Sequence, residues 1–281
     1  MNFYNSLLKK INKKSANIGI IGLGYVGLPL ALSFSNKKFK VTGYDIDKMK
    51  LNNLNKNNSY IKHIPNSMIK KNSANLLFTS NFNLINNNDV IILCLPTPIT
   101  KKNEPDLSFI LTTINLIKRS FRKGQLIILE SSTYPGSTRK MLTSKLKNFK
   151  LGNDFFLGYS PEREDPNNKN YNLSNIPKIC SGYSVYCQNL VKTLYKKIVK
   201  KTVMVESLEI AEFAKLYENI YRSVNIGLVN ELKIIAQKLN LDIYKIIDAA
   251  KTKPFGFQAF YPGPGVGGHC IPVDPYYLSW L

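Results

Sequence analysis

A cysteine in a glycine-dense loop is the group in this sequence best placed for covalent chemistry. Cys270 closes the run Gly263-Pro-Gly-Val-Gly-Gly-His-Cys, with His269 beside it and Asp274 four residues further on. Glycines let a backbone wrap closely around a ligand. A thiol held there becomes a nucleophile once ionised; taken alone, a cysteine also fits a purely structural role. Upstream, Lys215, Asn219 and Arg222 stand at i, i+4 and i+7, one face of a helix. Lys215 and Asn219 are donors that could stabilise an oxyanion. Singly, each also fits a solvated polar face in a chain this rich in lysine.

A second constellation lies near the start. Residues 17–27 read Asn-Ile-Gly-Ile-Ile-Gly-Leu-Gly-Tyr-Val-Gly, an apolar strand running into Gly22-x-Gly24-x-x-Gly27. A helix is expected over 28–36 and a second strand over 40–44, ending at Asp45, 23 residues after Gly22. Strand, glycines, helix, strand and acid together form the dinucleotide-binding fingerprint. Gly22 permits the turn, Gly24 the approach of a pyrophosphate, and Gly27 close helix–strand packing. The helix N-terminus presents unpaired N–H groups to the phosphates. A carboxylate at Asp45 would bind the ribose diol and repel a 2′-phosphate, which favours NAD over NADP as cofactor.

The elements that must position these groups alternate in the manner of an α/β protein. Further strands are expected over 76–79, 90–95, 125–130, 155–159 and 202–205, with helical segments between several of them. The expected fold is an α/β, Rossmann-like, doubly wound parallel sheet followed by a helical central domain built on one long helix. The domains divide at 1–205 and 206–281. The loops 95–98 (Leu-Pro-Thr-Pro) and 130–136 (Glu-Ser-Ser-Thr-Tyr-Pro-Gly) leave strand ends, where ligands sit in such sheets. From 207 to 240 there is no proline and one glycine, so one helix of 34 residues is expected, about 50 Å long, with a break allowed at Gly227. That length suits a link between domains or a partner chain. A second helix is expected over 243–252.

Composition narrows the class. The chain has 281 residues, 44% of them hydrophobic, which suits a folded protein of about two domains and excludes a disordered chain. No apolar run approaches the ~20 residues of a membrane span, and residues 1–15 lack the apolar core of a secretory signal. The four cysteines and two histidines lack the spacing of a zinc site, so no metal is expected, and a reducing cytoplasm is the expected location. The net charge is +21, but 34 of the 39 basic residues are lysines, scattered rather than banded. Nucleic-acid recognition favours arginine, so no nucleic-acid partner is expected; a positive field suits anionic small substrates.

Six ordered motifs resemble one family. They are the glycine loop 22–31, the Leu-Pro-Thr-Pro loop, Glu130-Ser-Ser-Thr-Tyr-Pro-Gly, Ser160-Pro-Glu-Arg, Glu212-Phe-Ala-Lys-Leu-Tyr-Glu-Asn219, and Gly263 to Asp274. Together they resemble the UDP-glucose/GDP-mannose dehydrogenase family across nearly the whole chain. The resemblance implies oxidation of the C6 hydroxyl of a UDP-sugar to a carboxylate with two NAD molecules in turn. It implies Cys270 as the nucleophile, through a thiohemiacetal and a thioester, and Lys215 and Asn219 as oxyanion donors. Asp274 would be a base acting through water or Lys215, and Thr133 and Glu162 would hold the hydrolytic water. The cofactor would lie against Gly22, Gly24, Tyr25, Val26, Gly27 and Asp45, with Pro96, Thr97 and Thr133 from the strand-end loops. The sugar nucleotide would meet Glu162, Arg163, Lys215, Asn219 and Arg222, with Tyr261, Gly265 and Gly267 from the glycine-rich segment.

Arg163-Glu164 after the Pro-Glu pair, and Val273 before Asp274, resemble the N-acetylhexosamine branch rather than the UDP-glucose branch. UDP-N-acetylglucosamine is therefore favoured over UDP-N-acetylmannosamine, and both over UDP-glucose, for surface polysaccharide synthesis. Family members continue into a third, UDP-binding domain, whereas this sequence stops at Leu281. The expectation is the dehydrogenase or its N-terminal two-thirds; two accounts of the missing domain stay open, a fragment or split gene whose remainder is encoded separately and an inactive remnant that binds NAD and dimerises without turnover. A homodimer through the long helix is also implied.

Overall fold

Short apolar runs become strands that, in the middle of the sheet, are buried on both faces, the pattern of a sheet covered by helices. The computed structural model describes residues 2–164, 173–268 and 271–281. Packing divides the chain into two units, Met1–Thr97 with Asp106–Phe213, and Pro98–Pro105 with Ala214–Leu281.

The first unit runs α1 (Asn2–Asn12), β1 (Ile18–Ile21), α2 (Gly27–Asn36), β2 (Val41–Tyr44), α3 (Lys48–Asn55), α4 (Asn66–Asn72), β3 (Leu76–Thr79) and β4 (Val90–Leu93). It continues through α5 (Ser108–Ile117), β5 (Gln125–Leu129), α6 (Ser137–Lys145), β6 (Phe155–Tyr159), β7 (Lys178–Gly182), α7 (Val185–Tyr195) and β8 (Thr202–Met204). The sheet order is β3-β2-β1-β4-β5-β6-β7-β8. From β3 to β6 every pairing is parallel, with Ile18 opposite Val41 on one side and Val90 on the other. This is the doubly wound arrangement expected.

One reversal departs from a wholly parallel sheet. β7 pairs antiparallel with β6, and β8 then lies parallel to β7, with α7 as the crossover between them. β7 has no counterpart among the predicted strands: Lys-Ile-Cys-Ser-Gly carries too little apolar signal to stand out.

α1 is also absent from the sequence expectations. Its Leu7 and Ile11 join the core formed by β1, α2 and α7. Asn189 Nδ2 on α7 donates to Tyr4 Oη at 2.5 Å. Asp89, just before β4, receives Lys10 Nζ at 2.7 Å, Arg122 Nη2 at 2.9 Å and the Asn17 backbone N–H at 3.0 Å. Burial alone would raise the Asp89 carboxyl, but these three donors outweigh it and hold it below the ordinary range.

The helical unit is built on α8 (Leu208–Lys238), whose first turns belong to the sheet unit, followed by α9 (Ile243–Ala250) and α10 (Asp274–Trp280). α8 is continuous through Gly227: one glycine costs a helix about 1 kcal/mol, too little to break thirty other residues. Val229, Ala236, Ile243 and Ile247 pack together, with Ala259 and Phe260 against them. Residues 98–105 belong here, closed by a bridge between Ile99 and Pro105, and Tyr277 Oη donates to the Pro98 carbonyl. Tyr217, Tyr221, Val224, Leu228, Leu232 and Ile235 recur at helical spacing on α8, all exposed. Among the described residues no helix is long and apolar enough to cross a membrane.

Candidate active site

The turn after β1 is shaped by what its glycines lack. Gly22 has φ +90°, and a Cβ there would lie 2.3 Å from the Cys94 carbonyl oxygen. A Cβ on Gly27 would lie 1.8 Å from the Gly22 oxygen, so the start of α2 can sit on the turn only without one. At Gly24 a Cβ would meet nothing within 4 Å, which leaves that backbone open to a ligand. Val26 precedes α2 and no side chain caps the helix, leaving its first N–H groups available to an anion. Tyr25 is exposed and stacks on His63, their ring centroids 6.1 Å apart.

Asp45 stands at the end of β2, where the fingerprint expects an acid. Its Oδ2 accepts from the Leu23 N–H at 2.9 Å and its Oδ1 from the Asp47 N–H at 3.0 Å. The carboxylate is therefore fixed against the glycine turn, as a ribose diol requires. Open backbone at Gly24, the uncapped helix end and the anchored Asp45 fit a dinucleotide with an unphosphorylated ribose.

The strand-end loops are tied to one another. Ser131 Oγ accepts from the Leu95 N–H at 2.9 Å, joining the loop that carries Pro96 and Thr97 to the loop that carries Thr133. Thr133 is buried, with its hydroxyl 2.5 Å from Ser137 Oγ. Glu212, in the first turns of α8, accepts from the N–H groups of Gly136 at 2.6 Å and Thr138 at 2.9 Å and so caps the N-terminus of α6, while burial raises its carboxyl above the ordinary value.

Beneath these loops lies an ion cluster. Lys178 Nζ, with a side chain 3% exposed, sits 2.6 Å from Glu130 Oε2 and 2.9 Å from Glu162 Oε2. Tyr195 donates its hydroxyl to the other Glu130 oxygen. Glu162 Oε1 accepts from the N–H groups of Arg163 at 2.7 Å and Glu164 at 2.6 Å. Arg163 Nη1 donates to the Pro177 carbonyl at 2.7 Å, which ties the same loop to the residue before Lys178.

The charges divide unevenly. Burial raises the Glu130 carboxyl above its ordinary value, against the pull of Lys178. Burial would raise Glu162 too, but Lys178 and the two backbone N–H groups outweigh it and hold Glu162 below the ordinary range. Burial would lower Lys178; the two glutamates reverse that and keep it a cation. Burial pushes the Cys94 thiol far up and Cys180 to about 12, so neither is a thiolate.

In the helical unit three of the expected residues come together. Asn219 Nδ2 donates to Asp274 Oδ2 at 2.5 Å, and the two residues are 4% and 2% exposed. Burial raises the Asp274 carboxyl; the Asn219 hydrogen bond and the charge of Lys215 oppose that and do not cancel it. Arg222, one turn further along α8, is exposed. Tyr261 lies against α9, its hydroxyl donating to Asp248 Oδ1 at 2.9 Å. Gly265 and Gly267 are exposed, Gly267 with φ +65°. Cys270 and His269 lie outside the described residues.

Four residues of this site carried no role in the sequence expectations: Glu130, Lys178, Tyr195 and Glu212. Glu212 stood in a motif, and its spacing of seven from Asn219 places both on one face of α8. Lys178 and Tyr195 have no local signal, because their partners are brought to them by strand pairing.

Comparison with known proteins adds the following. Residues 16–199 match the UDP-glucose/GDP-mannose dehydrogenase family, NAD binding domain, and residues 209–281 match the central domain of the same family. UDP-N-acetyl-D-glucosamine 6-dehydrogenase of Pseudomonas aeruginosa is 38% identical over 95% of this chain and 63% of its own length. The structure of UDP-D-ManNAc dehydrogenase from Pyrococcus horikoshii superposes with a TM-score of 0.85 at 34% identity, over 93% of this chain and 63% of that one. The UDP-N-acetyl-mannosamine dehydrogenase Cap5O of Staphylococcus aureus gives 0.83 at 31% identity, over 94% and 65%. The chain thus spans a little under two thirds of the length of these relatives.

Proposed function

Because the chain belongs to the UDP-glucose/GDP-mannose dehydrogenase family, we propose that it carries out the NAD-dependent, four-electron oxidation at C6 of a UDP-N-acetylhexosamine, with UDP-N-acetylglucosamine the favoured sugar. The relative from Pseudomonas aeruginosa, named for that sugar, supports the choice. So do Arg163-Glu164 and Val273, which stand where the UDP-glucose branch has other residues. The setting is the cytoplasm, where Cys270 stays reduced.

The backbone of the glycine turn, the N-terminus of α2 and Asp45 would hold the cofactor, with Pro96, Thr97 and Thr133 beside it. When bound, NAD supplies the acceptor for the hydrides that a hydroxyl loses on its way to a carboxylate. The observation that carries the reading is the buried Asp274, held by Asn219 and facing the charge of Lys215. A carboxyl raised above its ordinary value is a better proton acceptor than an ordinary aspartate, so Asp274 takes the C6 hydroxyl proton, directly or through water or Lys215. An amide has two N–H donors; one of Asn219's holds Asp274, and the other, with Lys215, meets the oxyanion. Cys270, as thiolate, bonds to the carbonyl carbon and keeps it from escaping between the two oxidations. Glu162 and Thr133 hold the water that frees the product: its oxygen bonds to the acyl carbon, its protons pass to solvent, the C–S bond breaks, and sulfur leaves as thiolate, with the product a carboxylate. The exposed apolar stripe on α8 suits a second copy of this chain, giving a dimer.

The test is NADH formation, read by absorbance, with NAD and each of UDP-N-acetylglucosamine, UDP-N-acetylmannosamine and UDP-glucose. The expected result is two NADH per sugar, fastest with UDP-N-acetylglucosamine, and none beyond the first oxidation for Cys270→Ser. Calorimetry with Gly24→Ala should show weakened NAD binding in a chain that still folds. Tight NAD binding by the unaltered chain without NADH from any of the three sugars would overturn the reading.

A further inference from the structure

We propose that Lys178 is a positioning residue: its ammonium bridges Glu130 at the end of β5 to Glu162 on the loop after β6, and fixes Glu162 in one orientation as the acceptor for the product-releasing water. The proposal rests on the function given above for what Glu162 does, but on geometry alone for how Glu162 is held. The carboxylate is gripped at three points. Two backbone N–H groups meet Oε1, and Lys178 meets Oε2. A carboxylate has about four lone-pair sites, so roughly one is left, and it points where the three donors do not.

The cluster also sorts the two glutamates by role. Glu130 is fully buried, shares Lys178, and takes the Tyr195 hydroxyl on its other oxygen. Burial acts on both acids; at Glu130 it prevails over Lys178 and the carboxyl is raised, while at Glu162 Lys178 and the two backbone N–H groups prevail and hold it ionised. A carboxylate held ionised is a weak base and a steady acceptor. Glu162 therefore orients water by charge and hydrogen bonding, and the proton work falls to Asp274. The groups facing the cluster are Cys94 after β4, Cys180 on β7, Tyr195 on α7, and Arg163 and Glu164 on the Glu162 loop. Lys178 is the cation that both carboxylates share.

The experiment follows the Glu162 carboxyl carbon by NMR in the full chain labelled with ¹³C-glutamate, assigned by its loss in Glu162→Gln. In the unaltered chain Glu162 should stay ionised below the usual glutamate range. In Lys178→Met its titration midpoint should rise by roughly 1 to 3 pH units, and Lys178→Arg should restore most of the difference. Lys178→Met leaves Glu130 buried and unpaired, so the double variant Glu130→Gln/Lys178→Met, which removes both charges, is measured alongside. With substrate, the double variant should lower kcat about ten-fold or more while NAD affinity and KM stay near their original values. An unchanged Glu162 titration in a folded double variant would overturn the proposal. A shifted titration in a chain that makes no NADH would leave the bridge standing and remove the function assigned to it.

Discussion

In the sheet unit Asp89 and Glu162 are set against ammonium and guanidinium groups, whereas in the helical unit Asp274 is buried against an amide. Asp89 faces Lys10 and Arg122, and Glu162 faces Lys178; both are held ionised. Asp274 faces Asn219, with Lys215 acting only through its charge, and its carboxyl is raised. Where counter-charge and backbone N–H donors together outweigh burial, as at Asp89 and Glu162, the proton stays off and the acid is a brace. A dipole leaves the proton's position open and makes a group that can exchange it. The two kinds of site use the same side-chain chemistry for opposite ends.

The sharpest break in this comparison is Lys178→Met. Stranding buried carboxylates costs roughly 3–5 kcal/mol, to be read as a fall in the urea midpoint, and adding Glu130→Gln should recover a large part of it. A loss below about 1 kcal/mol would mean that the cluster is not a brace. Asp89→Asn should cost about 2 kcal/mol at neutral pH, the scale of hydrogen bonds to a charged group. Its sign with pH follows from a folded carboxyl held below the unfolded one. The contribution is complete above the ordinary value near 3.8 and is lost as the pH falls through the folded value. The gap between Asp89→Asn and the unaltered chain should therefore close in acid, measured as melting temperature against pH.

Asp274→Asn should show the smallest effect and the opposite sense. The folded carboxyl lies above the unfolded one, so ionised Asp274 costs stability at neutral pH, and the cost fades as the pH falls from the folded value toward 3.8. At pH 7 the variant should match the unaltered chain or exceed it by up to about 1 kcal/mol, while losing turnover. A clear loss of stability would place Asp274 with the braces.

Legibility in the sequence follows the range of the interactions. The glycine turn, Asp45 and strands such as Val-Ile-Ile-Leu are local patterns, and the structure places them in the expected order. α8 is a 3.6-residue rhythm without proline, and it too could be read directly. β7 could not, because it becomes a strand by pairing with β6 across a reversal of direction. Lys178 could not either: among 34 lysines, nothing near it in sequence says that two glutamates, 48 and 16 residues away, will close around it. Asn219 and Asp274 were each legible, but their hydrogen bond spans 55 residues and is a product of the fold.

The docking of α1 on α7 has a consequence for the order in which the chain folds. Tyr4 meets Asn189 across 185 residues of sequence. At a synthesis rate of about 5–20 residues per second, roughly ten to forty seconds separate the two on the ribosome. For that interval the apolar side of α1, with Leu7 and Ile11, lacks the α7 surface that completes its cover. α1 is thus synthesised well before the α7 surface it docks on, and the nascent chain presents an amphipathic segment that a chaperone can hold until α7 emerges.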